Sequence, residues 1–345
     1  MNKIFFELYN PTGMINQVMS LELAVGIAHQ TGAQLVVHHA VNNGDSLFNY
    51  KKVPIYTPSR FYNKQRIGFT EQDQFPHLLD IMDFDANLII IDEKIEHFPQ
   101  ETECITNMMG EYYYSNTDFL TDDELAFADG RQKLDLRDSI HLKNTLGFYS
   151  RFFYNRNDSL NTTLAKVKFK TEYFEFAKMV SKSIGDFVGA HLRLSDHVRM
   201  FNTTEDMFVY GLEKLAQENK QIILCTDEPS HLMVQKHKHK FLLLDEYITN
   251  NFRSEFKSLK FRDEVIFGLI CNIVMQESVK FIGTSGSTYT AYIHRMRNMS
   301  KLGETWDFFD NPVPADGKPY SWNANIFPKS GQKMWWREWP ESSLL

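Results

Sequence analysis

The chain is poor in cysteine: three occur in 345 residues, at positions 104, 225 and 271, with no C-x-x-C spacing. A disulfide framework is excluded, and a reducing compartment is the natural setting. No run approaches the roughly 20 apolar residues of a membrane span. The opening stretch from Met1 to Leu8 is too short for a signal peptide and reads as a first strand. A cytoplasmic location is therefore expected, with the Asn-x-Ser/Thr triplets at Asn157, Asn161, Asn202 and Asn298 left unmodified. A basic excess is missing as well. Lys and Arg number 37 against 44 Asp and Glu, a formal charge of −7, which argues against a nucleic-acid binder.

What remains is globular: 43% hydrophobic and 23% charged residues, in a length that suits two domains. Lys3 to Leu8 reads as a strand and Tyr9-Asn10-Pro11-Thr12-Gly13 as a run of breakers. Val18, Leu21, Leu23, Ala24, Ile27 and Ala28 then recur at helical spacing. Thr31-Gly32 closes that helix and Gln34 to His38 is a second strand, completing a βαβ unit. Ala86 to Ile91 reads as another buried strand, whereas residues 93–165 are polar and aromatic and show no clear period.

From about residue 165 strands and helices alternate. Helices are predicted at 174–184, 205–217, 229–236 and 263–276, and strands at 187–193, 221–225, 240–244 and 279–282. Such alternation means an α/β fold with doubly wound sheets. The expected architecture is two Rossmann-like domains facing a cleft, 1–165 and 166–300, with the boundary between 160 and 186. All five tryptophans (306, 322, 335, 336 and 339) lie in a tail, 301–345, read as packing back over the first domain; a sugar-stacking platform is the other reading.

Two stretches carry the chemistry. In His191-Leu192-Arg193 the polar residues are two apart, so on a strand they project to one side. Arginine offers a permanently charged fork for phosphate oxygens. A structural alternative is an ion pair between Arg193 and Asp196. In Gly283-Thr284-Ser285-Gly286-Ser287-Thr288-Tyr289, small and hydroxyl residues join an apolar strand to a helix, where open N–H groups hold anions. An ordinary N-cap explains the same residues. A G-x-S-x-G nucleophile elbow does not fit, because position five is Ser287 and the one downstream histidine, His294, lies on the same helix.

Thr226-Asp227 ends a strand, where the carboxylate could accept from a ribose or a guanine edge, or cap the helix begun by Pro229. Gly13-Met14-Ile15-Asn16-Gln17 joins the first strand to the first helix and could bring N–H groups to a phosphate, although it is not G-x-G-x-x-G. Asp83-Phe84-Asp85 matches the D-x-D of metal-dependent sugar transferases but precedes a strand, and reads as a solvated turn. His237-Lys238-His239 reads as a basic helix end, since i,i+2 histidines on a helix diverge.

The order of these features resembles the GDP-fucose-dependent fucosyltransferases of the α1,2-, α1,6- and protein-O-fucosyltransferase superfamily. The carriers are Gly13 to Gln17, His191-Leu192-Arg193, Thr226-Asp227, and the block from Phe281 to Tyr292, which is nearest the protein-O-fucosyltransferase form. The resemblance covers about half the chain. It implies a GT-B fold, GDP-fucose as donor, inversion at the anomeric carbon, and no metal or other cofactor. By position, Arg193 would bind the β-phosphate and assist departure of GDP, with His191 in support. Asp227 would hold guanosine, and Ser287, Thr288 and Tyr289 would bracket the diphosphate. Gly13, Met14 and Ile15 would line the donor, and Asn16 would lie near the sugar and its acceptor, a glycan or glycolipid precursor. The α1,2 members carry His-x-Arg-Arg-Gly-Asp where this chain has Leu194-Ser195 before Asp196, which speaks against that linkage. Asp196 and Glu7 are the candidates for a general base. A transferase for another nucleotide sugar, or a non-catalytic binding module, would share the same motifs.

Overall fold

The computed structural model describes residues 3–7, single positions 15, 18, 21, 22, 25 and 28, and stretches 34–38, 81–87, 89–92, 103–104, 140–143, 167–194, 203–260, 264–284, 287–300 and 307–309. These fall into two compact units, one ending at Phe169 and the other starting at Lys170.

In the first unit β1 (Lys3–Glu7), β2 (Gln34–His38), β4 (Ile89–Asp92), β5 (Glu103–Cys104) and β6 (Ile140–Lys143) form one sheet in the order β4-β2-β1-β6-β5. Every pairing in it is parallel. Ile15, Val18, Leu21, Val25 and Ala28 are helical and buried. Their three- and four-residue spacing is the apolar stripe of a helix lying on a sheet, as the βαβ reading expects. β3 (Met82–Phe84) and β7 (Val167–Phe169) form a separate antiparallel pair. Asp83 therefore lies on a strand, exposed and opposite Lys168, and only Asp85 sits in a turn, accepting from Asn87 N–H. The solvated-turn reading was half right: Met82 faces inward and recruits its neighbours into a ladder.

The second unit holds β8 (Phe187–Leu192), β9 (Gln221–Thr226), β10 (Leu242–Leu243), β11 (Phe281–Gly283) and β12 (Asp307–Phe308), all parallel, in the order β10-β9-β8-β11-β12. Numbered along the chain as 1 to 5, this is 3-2-1-4-5, the doubly wound order of a Rossmann sheet. β8 is buried throughout, as a central parallel strand must be, and reads in sequence as a near-continuous apolar run.

Alternation splits the sheet into two faces. Val188, Ala190, Leu192 and Ile282 join Phe208, Leu212 and Leu215 of α2 (Glu205–Ala216) and Phe309 in one apolar cluster. On the opposite face Gly189 backs onto Met275 of α6 (Glu264–Gln276), and Phe281 meets His294 of α7 (Thr288–Ser300) edge-on at 4.8 Å. Helix α1 (Thr171–Ile184) packs on α6; its buried Tyr173, Phe176, Ala177, Val180 and Ser181 form a single stripe, and Gly185 ends it at φ +80°. Helix α2 is capped by Thr204, whose hydroxyl accepts from Met207 N–H, with Glu205 and Asp206 in its first turn and Lys214 in its last.

Several predicted boundaries move. Helix α3 spans Leu232–Lys236 rather than starting at Pro229, because His231 caps it through Nδ1 while Glu228 to His231 close a turn. The strand predicted at 240–244 shrinks to Leu242–Leu243, since Lys238–Lys240 forms a 3-10 turn and Leu244 opens α4 (Leu244–Asn251) directly. Both α4 and α5 (Arg253–Ser258) were missed: each is short, and burial of Leu244, Ile248 and Phe256 rather than a long period sustains it. His237 does not decorate a basic surface end. It is mostly covered, bonded to Glu205 at 2.8 Å and edge-on to Phe208.

Candidate functional site

The strand order of the second unit reverses between β8 and β11, and in open α/β sheets ligands sit outside the carboxyl ends of the strands at that reversal. His191 and Arg193 lie at the end of β8, and Gly283 and Thr284 at the end of β11. The two ends are stitched together. Thr284 N–H donates to His191 O at 2.9 Å, and the Arg193 N–H donates to Thr284 Oγ1 at 3.0 Å. Thr284 is fully buried and was no individual candidate in the sequence; it ties the arginine's backbone to the turn.

His191 is 3% exposed, so its ring needs partners; a buried polar group left without one costs about 1–3 kcal/mol. One partner is Thr290, 99 residues on, whose Oγ1 lies 2.6 Å from Nδ1. The space for it comes from Gly283, which stands opposite His191 in the β8–β11 register. A Cβ at Gly283 would lie 2.4 Å from Thr290 Cγ2, so only glycine lets the threonine settle there.

The Tyr289 ring lies 4.6 Å from the imidazole, tilted by 35°. Its hydroxyl donates to Gly268 O of α6 at 2.7 Å, and Cys225 Sγ is 3.8 Å away. The Tyr289 ring thus walls His191 while its hydroxyl anchors to a neighbouring helix. Asn272 Nδ2 donates to Tyr289 O at 3.3 Å, a second tie between α6 and the start of α7.

On the other side of β8, Arg193 Nε lies 3.5 Å from Asp227 Oδ2, while Asp227 Oδ1 accepts from Leu194 N–H at 2.9 Å. Asp227 thus grips the Arg193–Leu194 segment with both oxygens, rather than capping a helix locally. The turn after β9 is held by Thr226 Oγ1, which accepts from Glu228 N–H at 3.2 Å. Burial first, and the nearby Asp227 charge second, raise the Glu228 carboxyl above its usual range. Cys271 is buried and burial pushes its thiol well up, which keeps it protonated and inert.

Helix α7 is seated by a stripe at i, i+4 and i+7: Thr290 over Gly283, His294 against Phe281, and Arg297 at the strand's entry. Arg297 is completely buried and donates to Ser278 Oγ at 2.7 Å, to Val279 O at 3.2 Å, to Gln276 O at 3.4 Å and to Ser278 O. A cation there meets the carbonyl end of α6, where the helix dipole is negative. The basic stretch around it gave no hint that one arginine would turn inward.

Of the other sequence candidates, Ser287 is buried beside the turn and Thr288 opens α7. Ile15 is helical and 4% exposed, a core position. Gly13, Met14, Asn16, Asp196 and the five tryptophans lie outside the described residues; of the tail read as packing over the first domain, Asp307–Phe309 is described and joins the second unit's sheet and apolar cluster instead. Among the described residues no three His, Cys, Asp or Glu side chains gather into a metal centre.

Neither a protein-family model nor a curated protein matches the sequence. Solved structures do. The chain is similar to the fucosyltransferase NodZ from Bradyrhizobium, at 12% identity over 86% of this chain and 93% of that one, TM-score 0.46. It is similar to a NodZ alpha-1,6-fucosyltransferase soaked with GDP-fucose, at 13% identity over 85% and 91%, TM-score 0.46. It is similar also to POFUT1 in complex with GDP, at 12% identity over 90% and 99%, TM-score 0.47.

Proposed function

We propose that the chain is an inverting, metal-independent glycosyltransferase that moves fucose from GDP-fucose to a glycan or glycolipid acceptor. The observation that carries this reading is the meeting of His191-Leu192-Arg193 with the Gly283–Tyr289 turn at the strand-order reversal of a 3-2-1-4-5 sheet. The motif resemblance supplies the donor, and a GT-B arrangement of the two units is part of the proposal.

In this mechanism the bond from fucose C1 to the β-phosphate oxygen breaks, its electron pair stays on the phosphate, and an acceptor hydroxyl attacks C1 from the opposite side, giving up its proton to a base for which Asp196 and Glu7 are the candidates, or to solvent. The growing phosphate charge is met by the Arg193 guanidinium, which does the work a divalent ion does elsewhere. Asp227 aims that guanidinium by engaging Nε, so the terminal amino groups are the ones a diphosphate would meet. His191, Ser287 and the first N–H groups of α7 surround the same anion. Asn16 is assigned to the sugar. A cytoplasmic setting, in which Cys225 and Cys271 stay as thiols, belongs to the same reading.

The test is a thermal-shift panel of GDP, UDP, ADP and dTDP sugars, followed by transfer assays with Arg193→Ala. GDP-fucose should stabilise the fold by mass action. The alanine variant should lose roughly 10²–10³-fold in turnover, the usual cost of one oxyanion-type donor. Stabilisation by a different nucleotide sugar alone, or transfer unaffected by the substitution, would defeat the proposal.

A further inference from the structure

Asp227 is already engaged. One of its oxygens accepts from Leu194 N–H at 2.9 Å and the other lies 3.5 Å from Arg193 Nε, so this carboxylate holds the arginine in place. The next residue stands differently. Glu228 is fixed through its main chain: its N–H donates to Thr226 Oγ1 at 3.2 Å and its carbonyl accepts from His231 N–H at 3.0 Å. Pro229 follows it, buried, with its own carbonyl accepting from Gln235 Nε2 at 2.7 Å. The Glu228 side chain is half-buried and meets no hydrogen-bond donor among the described residues. The charge it feels is that of Asp227, of its own sign. A carboxylate desolvated beside a like charge, on a backbone that is pinned, gains most from donors that arrive with a ligand.

The sheet narrows down which donors those are. β9 lies next to β8, and Glu228 sits just past its carboxyl end. In sheets of this doubly wound order an acidic side chain beyond the phosphate site hydrogen-bonds the ribose of a bound nucleotide. Ribose joins the diphosphate directly, whereas the base is one ring further away. Glu228 is next in the chain to the residue that grips the arginine assigned to the phosphate.

We propose that Glu228 is the ribose-binding residue of the donor site: its carboxylate accepts from the vicinal hydroxyls of a nucleoside diphosphate whose phosphates meet Arg193. The inference deepens the donor-site reading above and rests on it for the presence of a nucleotide, but not for the identity of the base. It moves the nucleoside contact from Asp227, whose oxygens serve the arginine, to its neighbour.

The test is calorimetric binding of GDP and of 2′,3′-dideoxy-GDP to wild type, Glu228→Gln and Glu228→Ala. Wild type should prefer GDP by about 10- to 100-fold, the range of hydrogen bonds to a charged group. Glu228→Gln, which keeps the shape and one acceptor, should retain about 3- to 10-fold, that of a neutral bond. Glu228→Ala should lose the preference entirely. It should also bind the dideoxy compound at least as tightly as wild type does, because a negative charge has left the surroundings of the diphosphate. Each preference is a ratio within one variant, so a change in stability cancels.

An alanine variant that keeps the wild-type preference overturns the proposal, as does a wild type that binds both compounds alike. In either case GDP binding itself leaves the donor-site reading standing. If UDP binds in place of GDP, and Glu228 carries its preference over 2′,3′-dideoxy-UDP, the guanine assignment falls and the ribose site stands. Absence of binding by any nucleoside diphosphate overturns both.

Discussion

The two faces of the second sheet are built from the same strands and do different jobs. On the α2 side, Val188, Ala190, Leu192 and Ile282 meet Phe208, Leu212 and Phe309 in an apolar cluster. On the α6–α7 side the strands offer Gly189, His191, Phe281 and Gly283, and the covering helices answer with Ser278, Thr290, His294 and Arg297. Each face also depends on a glycine of very close approach. Gly211 of α2 admits Phe309, where a Cβ would lie 2.3 Å from Cδ1, and Gly283 admits Thr290. One face therefore holds the sheet together, and the other holds it together while keeping polar groups fixed at its carboxyl end.

The largest effect is expected on the polar face at the end remote from the site. Replacing Arg297 with Met empties the carbonyl cluster of Gln276, Ser278 and Val279 of its donor. Buried acceptors cost about 1–3 kcal/mol each when orphaned, so a loss of roughly 3 kcal/mol or more is expected in urea unfolding. A midpoint unchanged from wild type would mean the arginine contributes nothing net.

The glycines sharpen the comparison directly. Gly283→Ala and Gly211→Ala should each cost about 1–3 kcal/mol by overpacking. On the proposed function their activities should part company: the first pushes Thr290 off His191 and lowers fucose transfer by the folded protein, while the second leaves it near wild type. Equal turnover in the two variants, measured well below their melting points, would erase the distinction between the faces.

The smallest effect lies at the rim of the apolar face. Hydrogen bonds from Lys236 first and His237 second hold the Glu205 carboxyl below the usual carboxylate range. A carboxyl depressed on folding adds stability above its unfolded pKa and loses it as pH falls through the folded value. Glu205→Gln should therefore be slightly less stable than wild type at neutral pH, and acid titration should bring the two together as pH falls below about 4.5, the ordinary glutamate value.

How much of this could be read beforehand follows from the same two faces. Strands β8, β9 and β11 announced themselves because central parallel strands are apolar on both sides. The site was legible as far as its local motifs reach: His191, Arg193, Asp227 and the Gly283–Tyr289 turn are each visible in short windows. Their pairing was not. Thr290 is 99 positions from His191, and Asp227 is 33 from Leu194. No period or cap links such residues, and only the strand order brings them together. Asp227 shows the cost: a strand-end carboxylate suggested an acceptor for a nucleoside or a local cap, and nothing nearby in sequence announced that it fastens the neighbouring strand's arginine. The one advance sign of Thr290 was the glycine in register with a buried histidine, and it becomes readable only after pairing is known. α4 and α5 escaped for a related reason, since their few apolar residues count only against the core they meet.

Strand β10 is two residues long and runs straight into α4 at Leu244. At that margin the sheet presents a ladder of two rungs, too brief to register an arriving strand, and the chain veers into a helix before a third can form. A short edge strand offers few unpaired backbone groups for another strand to pair with. Lys236, Lys238 and Lys240, which lead into that strand, add positive charge beside the short ladder, a further deterrent to edge pairing.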